Sequence, residues 1–159
     1  MNFIKRVNSS LYRGDEPIVL RGFGLGGWLL PEGYMWKLYT KCDRPRRMEK
    51  LIIELCGSKY AEHFWKTYYS TYITEWDIEL IAKKGYNSVR LPLNARHLYD
   101  RQNEQYRWKE DGFKYIDQLI NWCKKYGIYI ILDMHGAPGG QSGTNIDDSL
   151  VDLPELFMN

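Results

Sequence analysis

Ile128–Gln141 reads IYIILDMHGAPGGQ. An uninterrupted apolar run, Ile128 to Leu132, gives way to Asp133 and His135 and then to Gly136, Gly139 and Gly140. A continuous apolar run closed by glycines reads as a strand buried on both faces, the kind that fills parallel sheets covered by helices. DMHGAPGGQ then reads as the loop leaving the carboxyl end of that strand, where such sheets carry their function. Its glycines allow a sharp turn and close backbone approach, and Ala137–Pro138 stiffens the path between them.

Working outward, the pattern upstream repeats strand and helix. Phe113 to Tyr126 predicts a helix with Phe113, Ile116, Ile120 and Cys123 as its apolar stripe and Gly127 as its stop. Tyr86 to Leu93, YNSVRLPL, predicts a second strand, closed by Pro92. Before it, a helix starts at Thr74, where Thr74 and Asp77 resemble a capping box; Ile78, Leu80 and Ile81 face inward and Gly85 terminates it. Two further helices are expected from Pro45 to Gly57, with Met48, Leu51, Ile52 and Leu55 on one face, and from Ser58, with Ala61, Phe64, Trp65 and Tyr68 on its apolar side. Ile18–Leu20 reads as a first strand entering a glycine-rich loop, and Pro31–Thr40 as an aromatic excursion. The order is β–α–β–α–β, an α/β class with a parallel sheet.

Composition narrows the function classes. The 159 residues are 44% hydrophobic and 26% charged, enough for one domain with a core. Thirteen Tyr and six Trp suit surfaces that stack on flat apolar faces such as sugar rings. The net charge of +2 and the single basic concentration, Lys41–Lys50, diluted by Asp43 and Glu49, argue against nucleic acid as a partner. No stretch has the length of a membrane span, so no membrane partner is expected. Cys42, Cys56 and Cys123 are scattered and odd in number, which suggests neither a disulfide framework nor a metal site. MNFIKRVNSS lacks an apolar leader-like segment; the chain as given is expected in the cytoplasm, and outside the cell if a leader precedes it.

Three polar residues fall at the ends of three successive strands. They are Glu32, Arg90 and His135, spaced about one β/α unit apart, so a parallel sheet or barrel brings them to one rim. Each also admits a structural role: Arg90 in an ion pair, His135 bonded to Asp133 or to loop backbone, Glu32 solvated. Asp147 and Asp148 point different ways along an extended chain and read as capping or solvent-exposed residues rather than an acid/base pair. His63 and His97 are read as structural, and Cys123 as a buried thiol. GFGLGG is followed by Trp28–Pro31 and not by a helix, so it does not make a dinucleotide site.

Taken together, RGFGLGGWLLPEG at 21–33, NSVRLPL at 87–93 and ILDMHGAPGGQ at 131–141 resemble family-five glycoside hydrolases, closest to the cellulase and β-glucanase branch. The resemblance implies a (β/α)₈ TIM barrel, of which residues 1–159 supply about three β/α units as part of a glycosidase catalytic domain. It implies that Arg90 supports the nucleophile, that His135 borders the sugar at the cleavage point, and that Glu32 contacts sugar hydroxyls. Trp36 is expected as a stacking face for substrate, and Trp28 as either that or core. The family hydrolyses β-glycosidic bonds with retention through two glutamates about 5–5.5 Å apart, and needs no cofactor or metal. Neither glutamate's motif is present, and eight units take about 250 residues. The expectation is a fragment that grips a β-glucan or oligosaccharide, is inactive alone, and is completed by a C-terminal fragment. The alternative is a non-catalytic glycan-binding or partner-dependent product.

Overall fold

The computed structural model describes residues 3–38, 42–102, 105–144 and 147–158. A small antiparallel sheet comes first: β1 (Ile4–Val7), β2 (Ser10–Arg13) and β3 (Glu16–Ile18), in that spatial order. The main sheet is parallel and three-stranded. Its strands are β4 (Gly22–Gly24), β5 (Ser88–Asn94) and β8 (Tyr129–Gly136), with β5 in the centre. Between β4 and β5 lie α1 (Pro45–Cys56), α2 (Ser58–Thr71) and α3 (Glu75–Lys83). Between β5 and β8 lie the short α4 (Ala95–Leu98), a hairpin of β6 (Tyr99–Gln102) and β7 (Gln105–Trp108), and α5 (Glu110–Tyr126).

Ile18–Leu20 is not the first parallel strand. Ile18 closes β3, and the parallel strand lies within the glycines, at Gly22–Gly24. The reason is steric: a Cβ on residue 22 would sit 1.7 Å from the Ser88 carbonyl oxygen, so only glycine lets β4 approach β5 this closely. The N-terminal meander and the 99–108 hairpin carry no periodic apolar signal and are found only in the structure. Of the aromatic excursion at Pro31–Thr40, Gly33–Trp36 forms a 3-10 turn, while Tyr39 and Thr40 lie outside the described residues, as does Lys41 of the basic stretch.

Most helix signals hold. Asp77 accepts hydrogen bonds from the Thr74 N–H and hydroxyl, both at 2.8 Å, so the capping box forms with Asp in place of the usual Glu. The Pro45 start of α1 and the glycine ends at 57, 85 and 127 are all present, each glycine at positive φ. α5 begins at Glu110, earlier than Phe113, with Glu110 and Asp111 in its first turn and Lys124 and Lys125 in its last, each sign placed to complement the helix dipole.

The expected faces hold in large part, with Ile78, Ile116, Cys123 and Met48 buried, but individual positions differ. Leu119 is fully buried and Ile120 is not; Leu80 and Leu55 face solvent. One core lies between the sheet and the helices, built from Ile78 of α3, Val89, Leu91 and Leu93 of β5, and Ile116, Leu119 and Cys123 of α5. Burial pushes the Cys123 thiol up to about 12, as its reading as an inert buried residue requires. Trp28 is core, fully buried, its indole N–H donating to the Tyr69 carbonyl at 2.8 Å.

β8 departs from the reading most. Its apolar run is not buried on both faces: Ile131 is 43% exposed, Leu132 55% and Met134 48%, because among the described residues β8 pairs with β5 alone and forms an edge. The strand also runs on through Gly136, so Asp133 and His135 belong to the strand and not to the loop.

A second, ionic core ties the C-terminal residues to α1. Arg44 is 2% exposed. It donates to Asp43 at 2.8 Å, Asp152 at 2.7 Å and Ser149 Oγ at 2.6 Å. Asp148 accepts from the Arg46 backbone N–H at 2.9 Å and so caps α1 from across the chain; it also accepts from Asn94 at 2.9 Å and pairs with Arg96. Asp147 accepts from the backbone N–H groups of Ser142, Gly143 and Ser149. Burial works against its ionisation, but the Ser149 and Ser142 donors outweigh that and hold its carboxyl at about 2. Neither aspartate is solvent-exposed, which corrects that part of the sequence reading; as expected, they are not an acid/base pair.

Two measurements check this account. Arg44→Met should lower stability by about 3 kcal/mol in a denaturant titration, since it leaves buried acceptors without their donor; a loss under about 1 kcal/mol would contradict the burial. His97 packs edge-on against Tyr69, and burial, with repulsion from Arg96, holds its imidazole down to about 4. The unfolded chain takes up this proton near the ordinary value of 6.5 while the folded one does not. Stability should therefore fall as pH drops from about 6.5 to about 4, by up to about 2 kcal/mol, and His97→Gln should flatten that part of the profile.

Candidate active site

The parallel register decides which side chains meet. Arg90 of β5 lies opposite Ile131 of β8, and side chains two apart on a strand share a face, so Arg90, Asp133 and His135 lie on one side of the sheet. That side is opposite the helix-packed core. The Arg90 guanidinium Nη2 lies 2.5 Å from Asp133 Oδ2 and 3.0 Å from His135 Nδ1. Asp133 Oδ2 is also 3.0 Å from His135 Nδ1. The Arg90–Asp133 contact is an ion pair by distance without hydrogen-bond alignment, for Asp133 Oδ2 is buried and no donor points along its lone pairs.

Glu32 reaches the same cleft from the loop after β4. That loop is anchored by the Leu25 N–H on the Arg90 carbonyl at 2.8 Å and by Tyr68, whose hydroxyl donates to the Gly27 carbonyl at 2.6 Å. Glu32 is 6% exposed, so it is not the solvated loop residue its sequence position allowed. Burial raises its carboxyl above the ordinary value, against the opposing pull of His135, Tyr34 and Arg90. The Tyr34 hydroxyl donates to Glu32 Oε2 at 3.4 Å, and the carboxylate pushes the phenol up in turn.

Glu32, Arg90 and His135 line one cleft of about 1040 Å³, together with Gly24, Tyr34 and Pro92 near the sheet and Tyr72, Ile73 and Ile81 further out. Trp36 does not line it. Its ring stacks on Trp65 at 5.8 Å and packs on Tyr68 at 5.2 Å, inside an aromatic cluster on α2. The structure therefore brings together three of the four site residues expected from sequence and places the fourth elsewhere.

Three residues were missed. The sequence names Asp133 only as a possible structural partner of His135, because DMHG reads there as loop; as strand, its two-residue spacing to His135 puts both on one face. Tyr34 has an exposed ring beside Glu32 and carries no signal beyond its composition. Gln141 clamps the turn, donating to the His135 carbonyl at 2.5 Å and accepting from the Ala137 N–H at 3.1 Å. Gly140 belongs to the same clamp: φ is +83° and a Cβ would lie 2.4 Å from Ser149 Cβ. Among the described residues no group of three His, Cys, Asp or Glu side chains is arranged to hold a metal ion.

Residues 52–152 match the cellulase family, glycosyl hydrolase family 5. The chain belongs to that family. The matched span contains Arg90 and His135 and leaves Glu32 outside. A beta-xylosidase of Phanerodontia chrysosporium is 36% identical over 129 residues, which are 81% of this chain and 26% of that protein. A probable glucan 1,3-beta-glucosidase A of Aspergillus niger is 30% identical over 141 residues, 88% of this chain and 33% of its own length. This family 5 chain thus spans about a quarter to a third of those relatives. The crystal structure of rutinosidase from Aspergillus niger superposes with a TM-score of 0.62 at 24% identity, over 82% of this chain and 37% of that one, a likeness of fold.

Because the fold disfavours the ionised form of Glu32, its cost is present above the ordinary carboxylate range and disappears as the group protonates. Glu32→Gln should raise the thermal midpoint at neutral pH, worth up to about 1 kcal/mol, and the gain should vanish below about pH 4. Equal midpoints at neutral pH would show that Glu32 carries no burial cost.

Proposed function

We propose that this chain forms the opening β/α units of a (β/α)₈ glycosidase barrel and supplies part of its substrate grip, in a protein that hydrolyses β-linked glucans or related polysaccharides with retention. The carrying observation is the Arg90–Asp133–His135 cluster on the free face of the parallel sheet, with Glu32 lining the same cleft. Donors and acceptors converging at the carboxyl ends of successive strands are what a barrel needs to bind a polyol. Family membership supports glycoside hydrolysis, and the glucan-named relative supports the choice of glucan.

The bond-breaking step needs two opposed carboxyl groups, one to protonate the leaving oxygen and one to attack the anomeric carbon. The acids in and behind this cleft are already committed. Asp77 caps α3, Asp133 faces Arg90 and His135, and Glu32 is held by Tyr34. Both catalytic glutamates therefore lie outside these 159 residues in this reading. The exposed apolar edge of β8 favours the same conclusion: Ile131, Leu132 and Met134 would be covered by the next β/α units, on one chain or on a complementing one.

The test is direct. The pure 159-residue chain should turn over no β-1,3- or β-1,4-glucan above background, yet bind glucan oligosaccharides saturably in calorimetry. His135→Ala should weaken that binding about tenfold, the worth of one or two hydrogen bonds to a sugar. Turnover by the pure chain that His135→Ala abolishes would overturn its inactivity, and failure to bind any β-glycan would overturn the grip.

A further inference from the structure

The three groups at the sheet face are not interchangeable in their hydrogen bonding. A guanidinium has donors and no acceptor, and it stays charged at any ordinary pH. Arg90 Nη2 lies 3.0 Å from His135 Nδ1 in hydrogen-bonding geometry, so Arg90 is the donor in that contact and Nδ1 must offer a lone pair. Asp133 Oδ2 stands at the same 3.0 Å from Nδ1 but receives no aligned donor. Had Nδ1 carried the proton, the carboxylate would be its natural acceptor and the guanidinium N–H would face another N–H.

We propose that the Arg90–Asp133 ion pair fixes His135 as its neutral Nε2–H tautomer, so that His135 presents a hydrogen-bond donor, and not an acceptor, to the cleft. Asp133 acts as a positioning residue. At 2.5 Å from Nη2 it holds the guanidinium where Nδ1 can accept from it. Nε2 has no hydrogen-bond partner among the described residues, and His135 is one of the residues lining the cleft. The ring is held from behind as well, since Gln141 grips its backbone carbonyl at 2.5 Å. The matching ligand atom is an acceptor oxygen, such as a sugar hydroxyl receiving a bond. That last step rests on the glycan reading above; the tautomer itself does not.

The experiment reads the proton directly. Long-range ¹H–¹⁵N correlation spectra of the ¹⁵N-labelled 159-residue chain at neutral pH distinguish a protonated ring nitrogen from an unprotonated one. Loss of one imidazole pattern in His135→Gln assigns the residue. The expected wild-type pattern has Nε2 protonated and Nδ1 bare. An Nδ1–H tautomer, an imidazolium, or an averaged pattern at neutral pH overturns the proposal. Arg90→Met removes the donor and leaves Asp133 as the acceptor beside Nδ1, so the pattern should invert to Nδ1–H. If Nε2–H persists in a folded Arg90→Met chain, the ion pair does not set the tautomer. Should that variant fail to fold, the wild-type spectrum alone decides. Because the readout needs no sugar, absence of glycan binding with an Nε2–H imidazole would count against the functional reading and leave this one standing.

Discussion

The parallel pairing of β5 with β8, with Arg90 set opposite Ile131, is the constraint on which the site depends. A slip of β5 by one residue would turn Arg90 into the helix-packed core, away from Asp133 and His135, and bring Val89 and Leu91 out to the cleft, because strand side chains alternate faces. The core makes such a slip expensive. Val89 and Leu91 are 1% and 0% exposed, and burying two such side chains favours this register by several kcal/mol, on the order of 1.5–3 each. The glycine at 22 acts on the other side of β5: with no side chain it lets β4 dock against Ser88 and so carries Glu32 toward Arg90. The polar cluster is thus positioned by apolar packing that it does not itself touch.

The ionic core does comparable work beyond the carboxyl ends of β5 and β8, where Asp148 accepts from Asn94 and Ser149 sits against Gly140. Arg44, Arg46 and Arg96 hold residues 147–152 against the start of α1. Ser149 in turn sits against Gly140, and Gly140 belongs to the turn that Gln141 pins to His135. A chain of contacts therefore runs from the α1 N-terminus to the imidazole. Such buried charges add little net stability when replaced as a set by apolar residues, but removing one member strands its partners. Their value here is in fixing one path for a segment rich in glycine and serine that has little apolar surface of its own.

How much of this was legible in the sequence can be argued residue by residue. Helix ends were clear because caps are local: Thr74, Asp77, Gly57 and Gly127 act through hydrogen bonds and φ angles within a few residues. Arg90 and His135 are legible because a polar residue in or just after an apolar strand is a strong signal, although Arg90 lies within β5 and not at its end. The failures came where a long-range partner decides. Ile131 and Leu132 look doubly buried in isolation, and only the lack of a strand on one side, among the described residues, leaves them half in water. Gly22 reads as loop until Ser88 is placed beside it. Asp133 fell to a boundary error of four residues, the commonest weakness of reading elements from periodicity. Trp36 was chosen for chemistry that its ring supports, but Trp65 and Tyr68 compete for the same face.

The cap on α1 has a temporal side. Its acceptor, Asp148, lies 102 residues beyond Arg46 in the chain. At about 5–20 residues per second, a ribosome takes on the order of 5–20 s to deliver it. For that interval the newly made helix begins with an unanswered N–H, Arg46 waits for its counter-charge at Asp148, and Arg44 has Asp43 but not yet Asp152. The amino-terminal elements can collapse early, but the clasp that locks them closes only once residues 148–152 have emerged.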